Sequence, residues 1–472
     1  MPTLTSKIAY NTFIQAIGKT FSIFLGLVVV AIMTRYLGQD GYGYYTTIIA
    51  YLQIFGILVD LGLNVMIVQL ISEPGANEKK TVSNIFTMRL IFAFIFFGIA
   101  PIIIWFFPYS NEVKIGTSAA TLSFFCIALI QILSGVYQKH LKMNIVSFAE
   151  VFGRFFLLGI TLLAVYYNLG LLGIMIAVSI GSIVNFLIVY FYSFKLIKIN
   201  LAFDFAYWKN VMKKSWPIAL SISLNLIYLR ADTVILSLYK SAGEVGIYGA
   251  AYRVLDIITM FPHMFMGLVL PILTLHWSAN NFERFKHTLQ KSFDFFTVFS
   301  VPLVFCTLFL ATKVMVLVAG NEFEMSGPIL KILIVASAMI FYGTMYSYCV
   351  VSLNKQKQML WGFLITAVLS LAGYLVLIPK YSYFGAAYVT VFSETLIALI
   401  GFVIVYKTTK ILPKANLLLK ALASSAIMAV ILYFSSSFGL IIQLLLAILA
   451  FFGVMYLLKG ITKEMVRELL GK

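Results

Sequence analysis

Residues 215–256 read SWPIALSISLNLIYLRADTVILSLYKSAGEVGIYGAAYRVLD. Two apolar runs, each long enough to cross a bilayer, flank a short polar turn, and they carry four charges: Arg230, Asp232, Arg253 and Asp256. A charge inside a membrane span is costly and faces protein or a wet cavity rather than lipid. The stretch also repeats an earlier one. Moved back by 203 positions, Tyr239, Gly246 and Tyr248 fall on Tyr36, Gly43 and Tyr45, within TRYLGQDGYGYYTTIIAYLQIF at 34–55. The chain reads as one half-molecule written twice, with buried charge in each half.

Composition agrees. The chain is 62% hydrophobic and 11% charged, with a mean hydropathy of +1.00. Soluble domains run at roughly 45–50% apolar and 25% charged. A span needs about 20 mostly apolar residues. Fourteen such windows occur, near 10–33, 45–71, 81–107, 115–138, 146–167, 170–193, 215–237, 247–273, 291–319, 327–350, 358–378, 383–406, 415–434 and 439–458. The net charge of +17 does not point to nucleic acid, because the basic residues sit in short loops between apolar runs. With the N-terminus inside, the inner segments hold 23 Lys and Arg and the outer segments 5. That asymmetry places both termini in the cytoplasm. Lys7 precedes a long apolar run with no small-residue cleavage site, so the first span reads as uncleaved. Cys126, Cys306 and Cys349 each lie alone in apolar sequence and read as small buried residues, with no metal spacing.

A second match appears at a shift of 212, where Leu141 falls on Leu353 and Gly173 on Gly385. Together the two shifts lay spans 1–6 over spans 7–12. Six is even, so the copies run the same way through the membrane, as parallel repeats do in transporters. The expected fold is an all-α polytopic membrane protein of about fourteen transmembrane helices. Two six-helix lobes, 1–194 and 215–406, are joined by a linker at 195–214, and 407–472 supplies an appended helix pair and a tail. The linker's FDFAYWKNVMKK portion has the aromatic and basic mixture of a helix lying at the lipid interface.

Helical spacing shows which faces look inward. Asn11, Gln15, Lys19, Ser22 and Gly26 form one stripe, and Gln53, Gly56, Asp60 and Asn64 another. Ser221, Asn225, Tyr228 and Asp232 do the same on span 7, and Arg253, Asp256, Met260 and His263 on span 8. The candidates for a central cavity are therefore Lys19, Arg89, Arg154, Arg230 and Arg253, with Gln15, Gln53 and Asn225. Surplus positive charge there suits a phosphate or pyrophosphate, which arginine grips with two donors. The bland reading ties Arg230 and Arg253 to Asp232 and Asp256 across helices. In the first lobe Lys19 has only Asp60 as an obvious partner, and Arg89 has the option of snorkelling to the inner surface. Asp60, Asp232, Asp256 and Glu394 are the candidates for holding Na⁺ or a proton. No P-loop, HExxH, CxxC or GxSxG occurs, and no loop is large enough for a catalytic domain. The expectation is a chain that is not an enzyme and needs no cofactor.

TRYLGQDGYGYYTTIIAYLQIFGILVDLGL resembles the N-terminal signature of the prokaryotic polysaccharide and O-antigen flippases, of the multidrug/oligosaccharidyl-lipid/polysaccharide exporter superfamily. NLIYLRADTVILSLYKSAGEVGIYGAAYRVLD resembles the start of that family's second lobe, and GLLGIMIA and YFGAAYV its entries into spans 6 and 12. Arg35, Gly38, Gly43, Asp60, Gly62, Asp232, Gly246 and Tyr248 match the family pattern, whereas Gln69 stands where a basic residue is common. The resemblance implies a cationic cavity opening alternately to each side of the cytoplasmic membrane. It implies a polyprenyl-pyrophosphate-linked oligosaccharide as cargo, its tail left in lipid, and polysaccharide assembly proteins as partners. Two alternatives stay open at this point: a multidrug/cation antiporter of the same superfamily, and an intramembrane glycan-assembly enzyme.

Overall fold

The computed structural model describes residues 4–460, with side chains from Ile14 onward except that of Ala16. The side chains of Lys7 and Asn11, and residues 461–472 with Lys463, Arg467 and Lys472, lie outside the described residues. The described chain is helical and without strands. Its first seven helices are α1 (Leu4–Asp60), α2 (Leu63–Ser72), α3 (Glu78–Ile103), α4 (Asn111–Lys139), α5 (Met143–Tyr166), α6 (Gly170–Ser193) and α7 (Phe205–Tyr239). The others are α8 (Ala242–Ser278), α9 (Phe282–Ala319), α10 (Ser326–Ser352), α11 (Gln356–Thr409), α12 (Asn416–Phe434) and α13 (Leu440–Leu457).

Twelve helical segments among the described residues are long and apolar enough to cross a membrane. Two of them, 17–72 and 356–409, hold 56 and 54 residues. At about 1.5 Å per residue each is far longer than one crossing requires. Both are broken in backbone geometry within their length. Gly38 (φ 65°) breaks α1, and Ser382 (φ 52°) breaks α11. The segments on either side are each of span length. Several helices also outrun their apolar windows. α9 starts at Phe282, nine residues before the expected 291, because Asn281 caps it by accepting from the Arg284 N–H at 3.1 Å. Hydropathy finds the greasy part of a helix, and capping sets where the helix begins.

The repeat is visible in local geometry. At a shift of 203, Gln39 follows the Gly38 break and Ala242 opens α8. At a shift of 212, Gly170 (φ 63°) matches Ser382 (φ 52°), both in the left-handed region. α1 and the first turns of α8 then meet at repeat-related positions. A Cβ on Gly43 would lie 1.8 Å from the Ala242 carbonyl oxygen, and one on Gly246 would lie 2.1 Å from that of Gln39. The contact is reciprocal, because Gln39 and Ala242 are themselves 203 apart. Only glycine permits backbones this close.

The chain forms two compact units, 1–246 and 247–472. In the first, Leu63, Ile67, Val82, Ile85, Leu133, Val136 and Tyr137 form a buried apolar core. The segment 195–214 lies within it. Its FDFAYWKNVMKK portion is not a separate interfacial helix. It is extended to Asp204 and then forms the opening turns of α7, which continues unbroken to Tyr239. The N–H groups of Asn200, Ala202 and Asp204 donate to Ser83, Thr87 and Asn84 of α3 at 3.2, 3.0 and 3.0 Å. Polar side chains near the start of α3 thus satisfy every second N–H of an extended strap. In the second unit α12 and α13 pack on α9 through Val301, Leu310, Met428, Leu432 and Phe451. The Lys313 ammonium donates to the Ser436 and Phe438 carbonyls and to Gln443, closing the α12–α13 turn. Cys126 and Cys349 are buried, and Cys306 is half-buried.

Candidate functional site

Arg89 neither snorkels nor faces a cavity. It is 1% exposed and enclosed by acceptors. Its Nε donates to the Ala128 carbonyl at 3.2 Å, and one terminal nitrogen donates to the Val59 carbonyl at 2.6 Å and to Asp60 Oδ1 at 2.8 Å. The other terminal nitrogen donates to Gln131 Oε1. The reason lies in the backbone. Leu61 (φ 43°) and Gly62 (φ 76°) leave the helical region, separating α1 from α2 and freeing carbonyls at the end of α1. Arg89 supplies the missing donors there. Asp60 is therefore held by Arg89, and the partner expected for Lys19 is taken.

Lys19 pairs instead with Glu150 on α5, Nζ to Oε1 at 2.9 Å, and Ser22 donates to the same oxygen at 3.1 Å. A Cβ on Gly18 would stand 2.9 Å from that of Ser147, so α1 and α5 are in close contact one residue before the ion pair on α1. Gln15, one turn before Lys19, and Arg154, one turn after Glu150, are part-buried. These residues form one polar seam. Glu150 and Gln131 escaped the sequence reading. Glu150 left a signal, an acid four residues before Arg154 within a span.

Gln53 is part-buried. On α7, Asn225 donates to the Tyr228 hydroxyl at 2.7 Å, joining two residues of the expected stripe. Asp232 is fully buried and accepts from the Thr233 hydroxyl at 3.1 Å, while Arg230 is part-buried.

In the second unit Arg253 and Asp256 are part-buried on α8. The tie expected for Arg253 is not formed. Among the described residues its guanidinium has no hydrogen-bond or ion-pair partner. His263 packs its ring 6.4 Å from that of Tyr348.

Glu394 is 5% exposed, and among the described residues its Oε1 has no hydrogen-bond partner. The hydroxyls of Ser337, Thr366 and Ser370 are likewise buried without partners among the described residues. Helix register brings all four to one level. The two halves of α11 run antiparallel, with Gly362 against Ile400 and Gly373 against Val389, so Thr366 and Ser370 straddle the level of Glu394. α10 runs parallel to the second half, with Gly343 against Ala398 and Tyr346 against Gly401, which puts Ser337 two residues from that level. One turn away, Thr390 lies 3.4 Å from the hydroxyls of both Tyr248 and Tyr374. Among the described residues, a carboxyl and three hydroxyls with spare hydrogen-bonding capacity thus lie close to one level of these helices.

Membrane-length helices, with paired charge buried between helices of the first unit and, among the described residues, an arginine without a partner on α8, define a multi-pass α-helical membrane protein. The family model described as polysaccharide biosynthesis protein matches residues 8–275, more than half of the chain, and the MatE family model matches 217–378. The chain belongs to the polysaccharide biosynthesis protein family. It is 24% identical over 407 residues to a Shigella flexneri protein described as an O-antigen transporter, covering 81% of this chain and 93% of that one. It is 24% identical over 280 residues to the capsular polysaccharide biosynthesis protein CapF of Staphylococcus aureus, covering 58% and 69%. Its fold matches the lipid II flippase MurJ in an inward closed conformation, with a TM-score of 0.77 at 18% identity over 94% of this chain and 98% of the other.

Proposed function

We propose that this chain is a flippase for polyprenyl-pyrophosphate-linked oligosaccharides, acting by alternating access in surface polysaccharide biosynthesis. It sits in the cytoplasmic membrane of a prokaryote with both termini inside and crosses it fourteen times. Its two six-helix lobes are 1–194 and 215–406, and the chain carries its cargo without reacting on it. The observation that carries this reading is Arg253. A guanidinium in a membrane helix that pairs with no anion among the described residues calls for an anionic ligand, and a pyrophosphate offers oxygens to its fork. Lys19 and Arg154 extend the basic lining in the first half, with Glu150 neutralising one of the two charges. Family membership and the names of the relatives support the same cargo class.

Glu394 is the coupling residue in this account. A charged carboxylate with no partner in a protein interior is strongly disfavoured, so in this conformation it holds a proton or a cation. Its release accompanies the rearrangement of α10 and α11. Asp60 does not serve, because Arg89 already neutralises it.

Lipid analysis of a strain lacking the protein tests the proposal. The expected result is a complete prenyl-pyrophosphate oligosaccharide accumulating on the cytoplasmic face. A truncated glycan would point to an assembly enzyme. Unchanged lipids with altered sensitivity to cationic dyes would point to a drug exporter.

A further inference from the structure

A second basic feature lies apart from the buried charges. A cavity of about 710 Å³ opens between the α2–α3 turn and the first turns of α7. Its lining includes Glu73, Asn77, Lys80, Tyr207, Lys213 and Lys214. Three ammonium groups and two carboxamides, those of Asn77 and Asn210, are gathered around one open space. Two of the lysines have acidic neighbours that hold them loosely. Lys80 Nζ lies 2.9 Å from Asp204 Oδ2, with side chains 53% and 35% exposed, and Lys214 Nζ lies 3.6 Å from Glu73 Oε1, with both more than half exposed. Exposed ion pairs of this kind are weak and screened by solvent, so a phosphate can displace them. Lys213 has no ion-pair or hydrogen-bond partner among the described residues.

The chain on either side of Asp204, the partner of the lining residue Lys80, is apolar. Phe203 and Phe205, the neighbours of Asp204, are 57% and 70% exposed, and both rings contact that of Trp208. Leu201 and Trp216 are also exposed. Exposed aromatic and aliphatic side chains next to clustered lysines match a phosphate held at the headgroup level with acyl chains beside it. A soluble phosphate would use the lysines and leave the aromatic rim without a role.

We propose that this cavity binds the phosphate headgroup of an anionic membrane phospholipid, with its acyl chains laid along Leu201, Phe203 and Phe205. The site does not depend on the flippase reading, because its ligand is resident lipid and not cargo. The test is native mass spectrometry of the purified full-length protein titrated with short-chain phosphatidylglycerol or phosphatidylcholine. Wild type is compared with Lys80→Gln/Lys213→Gln/Lys214→Gln and with the matching triple arginine variant. Losing three phosphate contacts should weaken phosphatidylglycerol binding about tenfold or more, leave phosphatidylcholine unchanged, and be restored by arginine. If the triple variant does not fold, Lys213→Gln alone, which breaks no ion pair, should still weaken binding measurably. Phosphatidylglycerol binding within twofold of wild type in a folded variant would overturn the proposal. Full displacement by inorganic phosphate, with no preference for the lipid form, would assign the site to a soluble anion and overturn it equally.

Discussion

Replacing Arg89 by methionine separates a structural arginine from a substrate-binding one. The side chain is 1% exposed and donates to two carbonyls, to Asp60 and to Gln131. Methionine fills similar volume but supplies no donor. Asp60 is then left as a carboxylate 14% exposed with its cation gone. Removing one partner of a buried ion pair costs about 3–5 kcal/mol. At about 2–4 °C per kcal/mol for a unit of this size, the unfolding midpoint in detergent should fall by roughly 10 °C. Protein abundance in the membrane should fall with it. Adding Asp60→Asn removes the stranded charge and should recover a substantial share of the loss. Thermal unfolding of the three proteins, read beside glycan export, decides the matter. An Arg89→Met protein with normal abundance and midpoint but no export would make Arg89 a cargo contact and refute the argument.

The glycine crossing gives a steric prediction: Gly43→Val or Gly246→Val must push the crossing backbones apart by more than 1 Å, since a Cβ would start 1.8 or 2.1 Å from a carbonyl oxygen, and normal folded yield by size exclusion would contradict it. Glu394→Gln keeps the shape of the buried carboxyl and removes its ability to ionise, so the protein should fold normally while transport loses its dependence on an imposed proton or Na⁺ gradient; an unchanged gradient dependence would exclude the residue from coupling. The Lys80 ammonium and the Tyr207 N–H hold the Asp204 carboxyl below the usual carboxylate range. Its contribution is therefore complete above the ordinary aspartate pKa and is lost as pH falls through the lowered value. Amide exchange in 200–208, corrected for its intrinsic rate, should rise only in strong acid, and a rise already near neutral pH would contradict the pairing.

Much of this was legible in the sequence because membrane burial is written in composition. Apolar windows located the helices, and the shifts of 203 and 212 picked out matching breaks and a matching glycine contact. The apolar pattern did not reveal where a helix stops being helical. Leu61–Gly62 interrupts an apolar run, and only the geometry explains why Arg89 belongs there. Pairing across helices was the weakest inference. Lys19 and Glu150 are 131 residues apart, and which acid meets which base depends on helix rotation, to which a stripe of polar residues is only a partial guide. Charged candidates could be named one by one. The hydroxyls of Ser337, Thr366 and Ser370 could not, because serine and threonine within helices ordinarily bond back to their own backbone.

The central claim rests on an anionic lipid-linked cargo meeting Arg253. Purified protein reconstituted in liposomes, with a fluorescent polyprenyl-pyrophosphate oligosaccharide whose outward-facing copies are read by a membrane-impermeant quencher, tests it directly. The account predicts flipping by wild type and a loss of about tenfold or more in Arg253→Gln at unchanged folding, the worth of one charge-assisted contact to phosphate. No flipping by the folded wild-type protein, or equal rates in the two, would contradict it.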